Sequence, residues 1–247
     1  MRNTVIVYFI LLCILVGVSA CSKNNDTVNP PPTDSTLNPP KYQPGDTLDV
    51  RGDTSNNDMT ALLYSRDGGV SNAGYPTLMA LGGGFGQANG KYRSVLKFRL
   101  RHIDDSTSEN PPPVQKATLY LYQYSAPTDL DPYTVQQDPA NGLELHRIVG
   151  DWQDSSVTWN TQPAVASGSA NPLEDVVMIP AITTPLAAGT SDNLEIDVTD
   201  MMRNILTNKS NKGFLLKLTN ENTNGGRSYG SFASPLVSKR PRLVIYF

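Results

Sequence analysis

The chain of 247 residues is long enough for one large domain or two small ones. Hydrophobic residues make up 38% and charged residues 17%, a balance that excludes both a disordered chain and a coiled coil. The formal net charge of -3 argues against duplex nucleic acid as a partner, and two cysteines with two histidines leave little for zinc, haem or iron–sulfur chemistry.

Residues 1–20 have the pattern of an export signal. One cation, Arg2, precedes an apolar run that is too short to span a membrane as a helix. The run ends in VSAC at residues 18–21, which resembles a bacterial lipobox, where the signal is cut before a cysteine that is then acylated. We therefore expect Cys21 to carry a lipid that anchors the protein to the cell envelope, and Ser22 favours the outer membrane. An ordinary secretory signal with an incidental cysteine is the alternative.

Residues 21–46 contain the acylated cysteine and a proline-rich segment with almost no apolar side chains. Such a segment cannot bury enough surface to fold, so we expect a disordered, extended tether that reaches on the order of 70 Å. Because Cys13 would leave with the signal and Cys21 would be lipidated, the folded domain would have no disulfide despite its oxidising compartment.

Residues 47–247 predict a single domain of many short strands. Alternation of apolar and polar side chains is clearest at 94–100, 117–124, 194–198, 214–218 and 242–246. Roughly ten to twelve strands are expected. One short helix is predicted over 200–206, capped by Thr199 and ended by Asn208 or Gly213. The fold class is therefore all-β, an antiparallel jelly-roll-type β-sandwich with one short helix.

Six phrases of the sequence carry a family resemblance. They are YRSVLKFRL (92–100), VQKATLYLYQYS (114–125), LELHRIVGDWQDSSVTWNTQPA (143–164), LEIDVTDMMRNILTNKSNKGFLLKLTNE (194–221), SYGSFAS (228–234) and RPRLVIYF (240–247). In this order and spacing they resemble the DNRLRE-type domain, a group that overlaps carbohydrate-binding module family 96. The resemblance implies a β-sandwich of secreted and surface proteins, often attached to polysaccharide-degrading enzymes. Some members are reported to bind acidic polysaccharide.

A row of tyrosines is the first candidate binding feature. Tyr120, Tyr122 and Tyr124 share one face of their predicted strand, opposite the aliphatic side chains. Flat aromatic rings bind sugars by stacking, while their hydroxyl groups form hydrogen bonds. The alternative is that these tyrosines only pack across strands on an outer sheet face, or lie under a loop.

Cations and a tryptophan complete the predicted ligand-binding set. If the strand at 92–100 is the neighbour of the tyrosine strand, Arg93, Lys97 and Arg99 lie beside the rings, as a carboxylated sugar polymer would require. Trp152 is a further candidate sugar platform, and a packing anchor is its alternative role.

These features predict a non-catalytic, lipid-anchored carbohydrate-binding module that is monomeric and recognises a polysaccharide, acidic or otherwise polar. No cofactor is expected, although acidic turns at 53–58 and 129–131 leave a structural calcium ion open. The alternatives are a structural or adhesion lipoprotein that acts by protein–protein contacts, and a polysaccharide lyase or hydrolase.

Overall fold

The computed structural model describes residues 42–85, 88–100, 112–124, 140–182 and 191–247. The expected export signal, Cys21 and nearly all of the tether lie outside these residues, so their assignment stays a prediction. The described residues all fall within one compact unit, Asn38–Phe247. Within them, no helix has both the length and the apolar character needed to cross a membrane.

The described residues form more strands than expected, together with one helix. The strands are β1 (Thr47–Arg51), β2 (Met59–Tyr64), β3 (Asn72–Ala73), β4 (Thr77–Gly82), β5 (Gly84–Phe85), β6 (Ala88–Asn89), β7 (Tyr92–Lys97), β8 (Lys116–Leu121), β9 (Leu143–Arg147), β10 (Val176–Ile179), β11 (Leu194–Asp197), β12 (Phe214–Leu218), β13 (Gly225–Gly230) and β14 (Arg242–Tyr246), and the helix is α1 (Thr199–Thr207).

The strands pair in an antiparallel manner into two main sheets. The small sheet has the order β1-β14-β8-β11. The large sheet has the order β10-β9-β12-β7-β2-β3, and β4 joins it by pairing with β7 and β13. Strands β5 and β6 form a separate hairpin.

The apolar core lies between the two sheets. Period-two alternation places Leu119 of β8 and Leu243 of β14 in the core, where they meet Leu96 and Leu216 of the large sheet. Helix α1 adds four buried side chains to the structure, Met201, Met202, Ile205 and Leu206. The predicted all-β sandwich with one short helix is confirmed.

The start of α1 differs from the expectation. Val198 occupies the N-cap position and Thr199 is the first helical residue. The Asp197 carboxylate accepts the Thr199 N–H at 2.9 Å, and the Thr199 hydroxyl oxygen accepts the Ala117 N–H at 2.9 Å. The threonine therefore ties the helix to β8, while Asn208 ends the helix as predicted.

A buried ion pair joins Asp192, two residues before β11, to Arg227 of β13. Arg227 is 0% exposed and donates Nε and Nη2 to the two carboxylate oxygens of Asp192, both at 2.6 Å. The Tyr229 hydroxyl donates to the same carboxylate at 3.1 Å, and burial raises the pKa of this tyrosine. These groups join the segment before β11 to a strand of the large sheet.

Candidate functional site

The predicted ligand-binding residues do not form one surface, because they belong to different sheets. Strand β8, which carries Tyr120, pairs with β14 and β11 in the small sheet. Strand β7, which carries Arg93 and Lys97, lies in the large sheet between β2 and β12. The expectation that Arg93, Lys97 and Arg99 lie beside the tyrosines is therefore wrong.

The outer face of the small sheet holds a different set of neighbours around the tyrosines. We call this surface the tyrosine face; it is formed by Thr47, Asp49, Arg51, Lys116, Thr118, Tyr120, Tyr122, Glu195, Asp197, Arg242, Val244 and Tyr246. In register, Tyr120 lies between Arg242 of β14 and Glu195 of β11.

Two arginines from opposite ends of the chain stack on the tyrosine rings. The Arg242 guanidinium lies 5.5 Å from the centre of the Tyr120 ring, and the Arg51 guanidinium lies 5.4 Å from the centre of the Tyr122 ring. At such distances a guanidinium is attracted by the ring quadrupole. Both rings are half-buried, so each presents an aromatic surface and a cation to solvent together.

Each guanidinium group is also held in place by hydrogen bonds to a carboxylate or to a backbone carbonyl. Arg242 donates to both carboxylate oxygens of Asp49, at 2.7 and 2.5 Å. This hydrogen bonding raises the pKa of Arg242 and lowers the pKa of Asp49, so both groups stay charged at neutral pH. Arg51 donates Nη1 to the Arg240 carbonyl oxygen at 3.1 Å. A ligand would therefore meet cations whose positions are already fixed.

Tyr124 is not part of the tyrosine face. It is only 8% exposed, and its N–H donates to the Ser228 carbonyl at 3.3 Å. The reason is that β8 ends at Leu121, and the chain then pairs with β13 of the large sheet through Gln123. The predicted alternation over 117–124 therefore fails at its last residue.

Trp152 has the environment of a packing anchor. It is 8% exposed, packs with Ala61, Val95 and Leu215 on the outer face of the large sheet, and donates its indole N–H to the Lys212 carbonyl at 2.7 Å. The structure therefore supports the packing alternative and not the role of a sugar platform.

Arg93 is held by neighbours on the large sheet. It donates two hydrogen bonds to the Glu221 carboxylate and one to Gln162, all at 2.7 Å. Its guanidinium also lies 4.6 Å from the centre of the Trp159 ring. Lys97 is half-buried in β7, and Arg99 is exposed just beyond it. None of these cations reaches the tyrosine face.

A comparison with protein families identifies the domain. A model of carbohydrate-binding module family 96 matches residues 63–246. The chain belongs to carbohydrate-binding module family 96. No curated protein matches the sequence significantly.

Three residues of the family 96 module's tyrosine face were missed by the sequence analysis. Tyr246 is 43% exposed and pairs with Lys116, while Arg51 and Arg242 supply the stacked cations. The alternation in RLVIY at 242–246 would have indicated that Arg242 and Tyr246 share a face. No sequence signal indicates that this strand lies next to β8.

The acidic turn at 53–58 uses its carboxylates within the module. Asp53 accepts the Ser55 N–H at 2.9 Å, and Asp58 accepts the N–H groups of Asp53 and Arg99. Within the described residues there is no group of three or more histidine, cysteine or acidic side chains that could hold a metal ion. The other acidic turn that could hold a structural calcium ion, at 129–131, lies outside the described residues.

Proposed function

We propose that this family 96 module is a non-catalytic, monomeric polysaccharide-binding protein that Cys21 anchors to the outer membrane, and that the tyrosine face is its binding surface. The observation that carries the proposal is the pairing of two solvent-facing rings, Tyr120 and Tyr122, with guanidinium groups within 5.5 Å. Membership of a carbohydrate-binding family supports a glycan as the ligand.

The chemistry of the face suits a polar or acidic glycan. Sugar C–H groups would stack on the part of each ring that its arginine leaves uncovered, and ring hydroxyl groups would form hydrogen bonds with sugar hydroxyls. Arg51 is held by backbone carbonyl oxygens, so its charge remains available to a sugar carboxylate. The carboxylates of Asp49 and Glu195 would accept hydrogen bonds from sugar hydroxyl groups.

The placement of His146 and Arg147 gives no support to the lyase alternative. A cleft that gathers a tyrosine base with His146 and Arg147 would favour the lyase alternative. His146 instead forms a 2.8 Å contact with Glu144 on the large sheet, and Arg147 is buried and donates to Asp175 at 3.2 Å. Neither residue faces the tyrosine face.

Affinity electrophoresis of the full chain in non-ionic detergent tests the proposal. Gels contain alginate, polygalacturonate, xylan or laminarin, so that acidic and neutral polysaccharides are compared. We expect at least one polysaccharide to retard the protein, with the acidic ones strongest. The Tyr120→Ala, Tyr122→Ala double variant should weaken retardation about tenfold or more, since each ring contact contributes about 1 kcal/mol.

Two further variants keep this test independent of folding. Arg51→Gln leaves both rings in place and should selectively weaken binding to the acidic polysaccharides. Met178→Ala, at a 55% exposed position on the large sheet, should migrate like the parent protein. Absence of retardation by all four polysaccharides would refute the proposal. Stable co-purification with another envelope protein in that case would favour the adhesion alternative.

Labelling with radioactive palmitate tests the anchor separately. The parent protein should incorporate label and fractionate with outer membranes, whereas Cys21→Ser should do neither. Unlabelled, soluble parent protein would show that the segment at 18–21 is not a lipidation signal.

A further inference from the structure

A cleft of about 510 Å³ lies at one end of the tyrosine face. Its volume falls within the range of small-molecule sites in proteins. Lys116 and Asp197, both members of the tyrosine face, line it together with Gln115, Leu173 and Val177. The cleft therefore continues the outer surface of the small sheet beyond the start of β8.

The walls of the cleft are fixed by contacts between α1 and its surroundings. Arg203 donates Nε to the Val114 carbonyl at 2.8 Å and Nη2 to the Gln115 carbonyl at 3.2 Å. Asp200 accepts hydrogen bonds from Arg203 at 2.9 Å and from Asn171 at 3.0 Å. Because these contacts link the helix to the segment before β8 and to the segment before β10, the cleft is preformed.

Several groups in the cleft are left available to a ligand. The Lys116 ammonium and the Gln115 side-chain amide form no hydrogen bond with any other described residue, and both residues are exposed. The Asp197 carboxylate uses Oδ1 to accept from Thr199, and these hydrogen bonds lower the pKa of Asp197. It is therefore an ionised acceptor at neutral pH. Leu173, 54% exposed, adds an apolar surface.

The cleft and the tyrosine rings lie along one line. Lys116 and Tyr120 point to the same side of β8, and Tyr122 follows its far end. Tyr122 is six positions after Lys116, which corresponds to about 20 Å along an extended chain. Between them lies Thr118, which pairs with Val244 of β14 and with Asp197 of β11; Thr118 and Val244 are buried, so the exposed groups along this line are the charged and aromatic side chains on either side of them.

We propose that the cleft is a second subsite of the same binding surface, so that one glycan chain lies along β8, with its central units on the rings and its next units in the cleft. The proposal rests on the proposed function, because it assumes that the tyrosine face binds polysaccharide. It adds that the module recognises an extended oligosaccharide and gains affinity with chain length. Donors, a carboxylate acceptor and an apolar surface together form the usual inventory for sugar hydroxyl groups and C–H faces.

Calorimetric titration of the full chain with oligosaccharides tests this inference. The oligosaccharides, from the disaccharide to the octasaccharide, are cut from whichever of the four polysaccharides retards the protein most. Affinity should rise until the oligosaccharide spans about 20 Å and then stay constant. Lys116→Ala should weaken binding of the longest oligosaccharide about fivefold, as expected for one exposed charged contact, and leave the shortest unchanged.

Two variants separate the cleft from other effects. Gln115→Ala should reproduce the loss for long oligosaccharides in a smaller degree, whereas Lys209→Ala, beyond the other end of α1, should bind like the parent protein. Length-independent binding, or equal weakening of all lengths by Lys116→Ala, would overturn the second subsite while the proposed function stands. Failure of every oligosaccharide and polysaccharide to bind would instead refute the proposed function itself.

Discussion

Replacing Trp152 by phenylalanine separates a packing role from a ligand-binding role. The side chain is 8% exposed and is enclosed by apolar residues of the large sheet, with its indole N–H bonded to the Lys212 carbonyl at 2.7 Å. Phenylalanine keeps an aromatic ring at the position but removes both the N–H donor and part of the apolar volume. If the residue is a packing anchor, stability should fall while glycan affinity is preserved.

The expected loss of stability has two parts. The substitution removes one neutral hydrogen bond, which contributes about 0.5–1.5 kcal/mol, and the Lys212 carbonyl loses this donor. The removed part of the ring buries roughly 40 Å², which corresponds to about 1 kcal/mol. The sum is about 1.5–2.5 kcal/mol. For a domain of this size that lowers the melting temperature by about 3–10 °C.

Thermal unfolding and affinity electrophoresis of the same preparations test this prediction. Trp159→Phe is the matched control, because Trp159 is half-buried and its contact with Arg93 is a cation–π interaction that phenylalanine largely keeps. It should lower the melting temperature much less than Trp152→Phe. A Trp152→Phe variant with an unchanged melting temperature and weakened glycan binding would refute the packing role.

Two further predictions concern buried carboxylates. Asp192→Asn leaves the Arg227 guanidinium uncompensated in the core and should cost about 3–5 kcal/mol by urea unfolding, whereas Asp49→Asn, which breaks an exposed pair, should cost less than about 1 kcal/mol; equal costs would contradict this reasoning. Burial raises the pKa of Asp175, but hydrogen bonds from Ser169 and then Arg147 outweigh it, so the net pKa is lowered. The stability it contributes is therefore complete above about pH 4 and is lost as the pH falls further. The urea midpoints of the parent protein and Asp175→Asn should converge between pH 4 and pH 2, and a constant difference would contradict this assignment.

Strands with one buried face were predictable from the sequence. In β8, β11 and β14, alternating aliphatic side chains such as Leu119, Ile196 and Leu243 all lie in the core. Their period-two pattern survives because the opposite face carries mostly polar or aromatic groups, although Thr118 and Val244 on that face are buried. The same pattern correctly placed Tyr120 on the outer face.

Strands buried on both faces were not predictable in this way. All six residues of β4 and all six of β13 are buried, so neither strand shows alternation. The sequence GGRSYG of β13 contains three glycines, which usually indicate a turn. A Cβ at Gly226 would lie 2.1 Å from the Ala80 carbonyl oxygen, so glycine is required there by close strand contact.

The error about the cations has a topological cause. Consecutive strands are usually neighbours, which favoured β7 as the partner of β8. In this sandwich the chain crosses from the large sheet to the small sheet between Lys97 and Lys116, so the two strands lie in different layers. The chemistry expected around the tyrosines is present, but it is supplied by Arg51 and Arg242.

The positions of these two arginines also indicate that the binding surface extends beyond the segment matched by the family model. The family match starts at residue 63, whereas β1 pairs with β14 over five residues, from Thr47 to Arg51. This strand carries Asp49, which holds Arg242, and Arg51, which stacks on Tyr122. A domain cut at the family boundary would therefore keep both rings but lose the groups that place a cation on each of them, and it would also lose most of β2, which pairs with β7 in the large sheet. Since β1 is an edge strand whose inward side chains Leu48 and Val50 are only partly buried, we expect loss of β1 alone to impair the tyrosine face more than the fold.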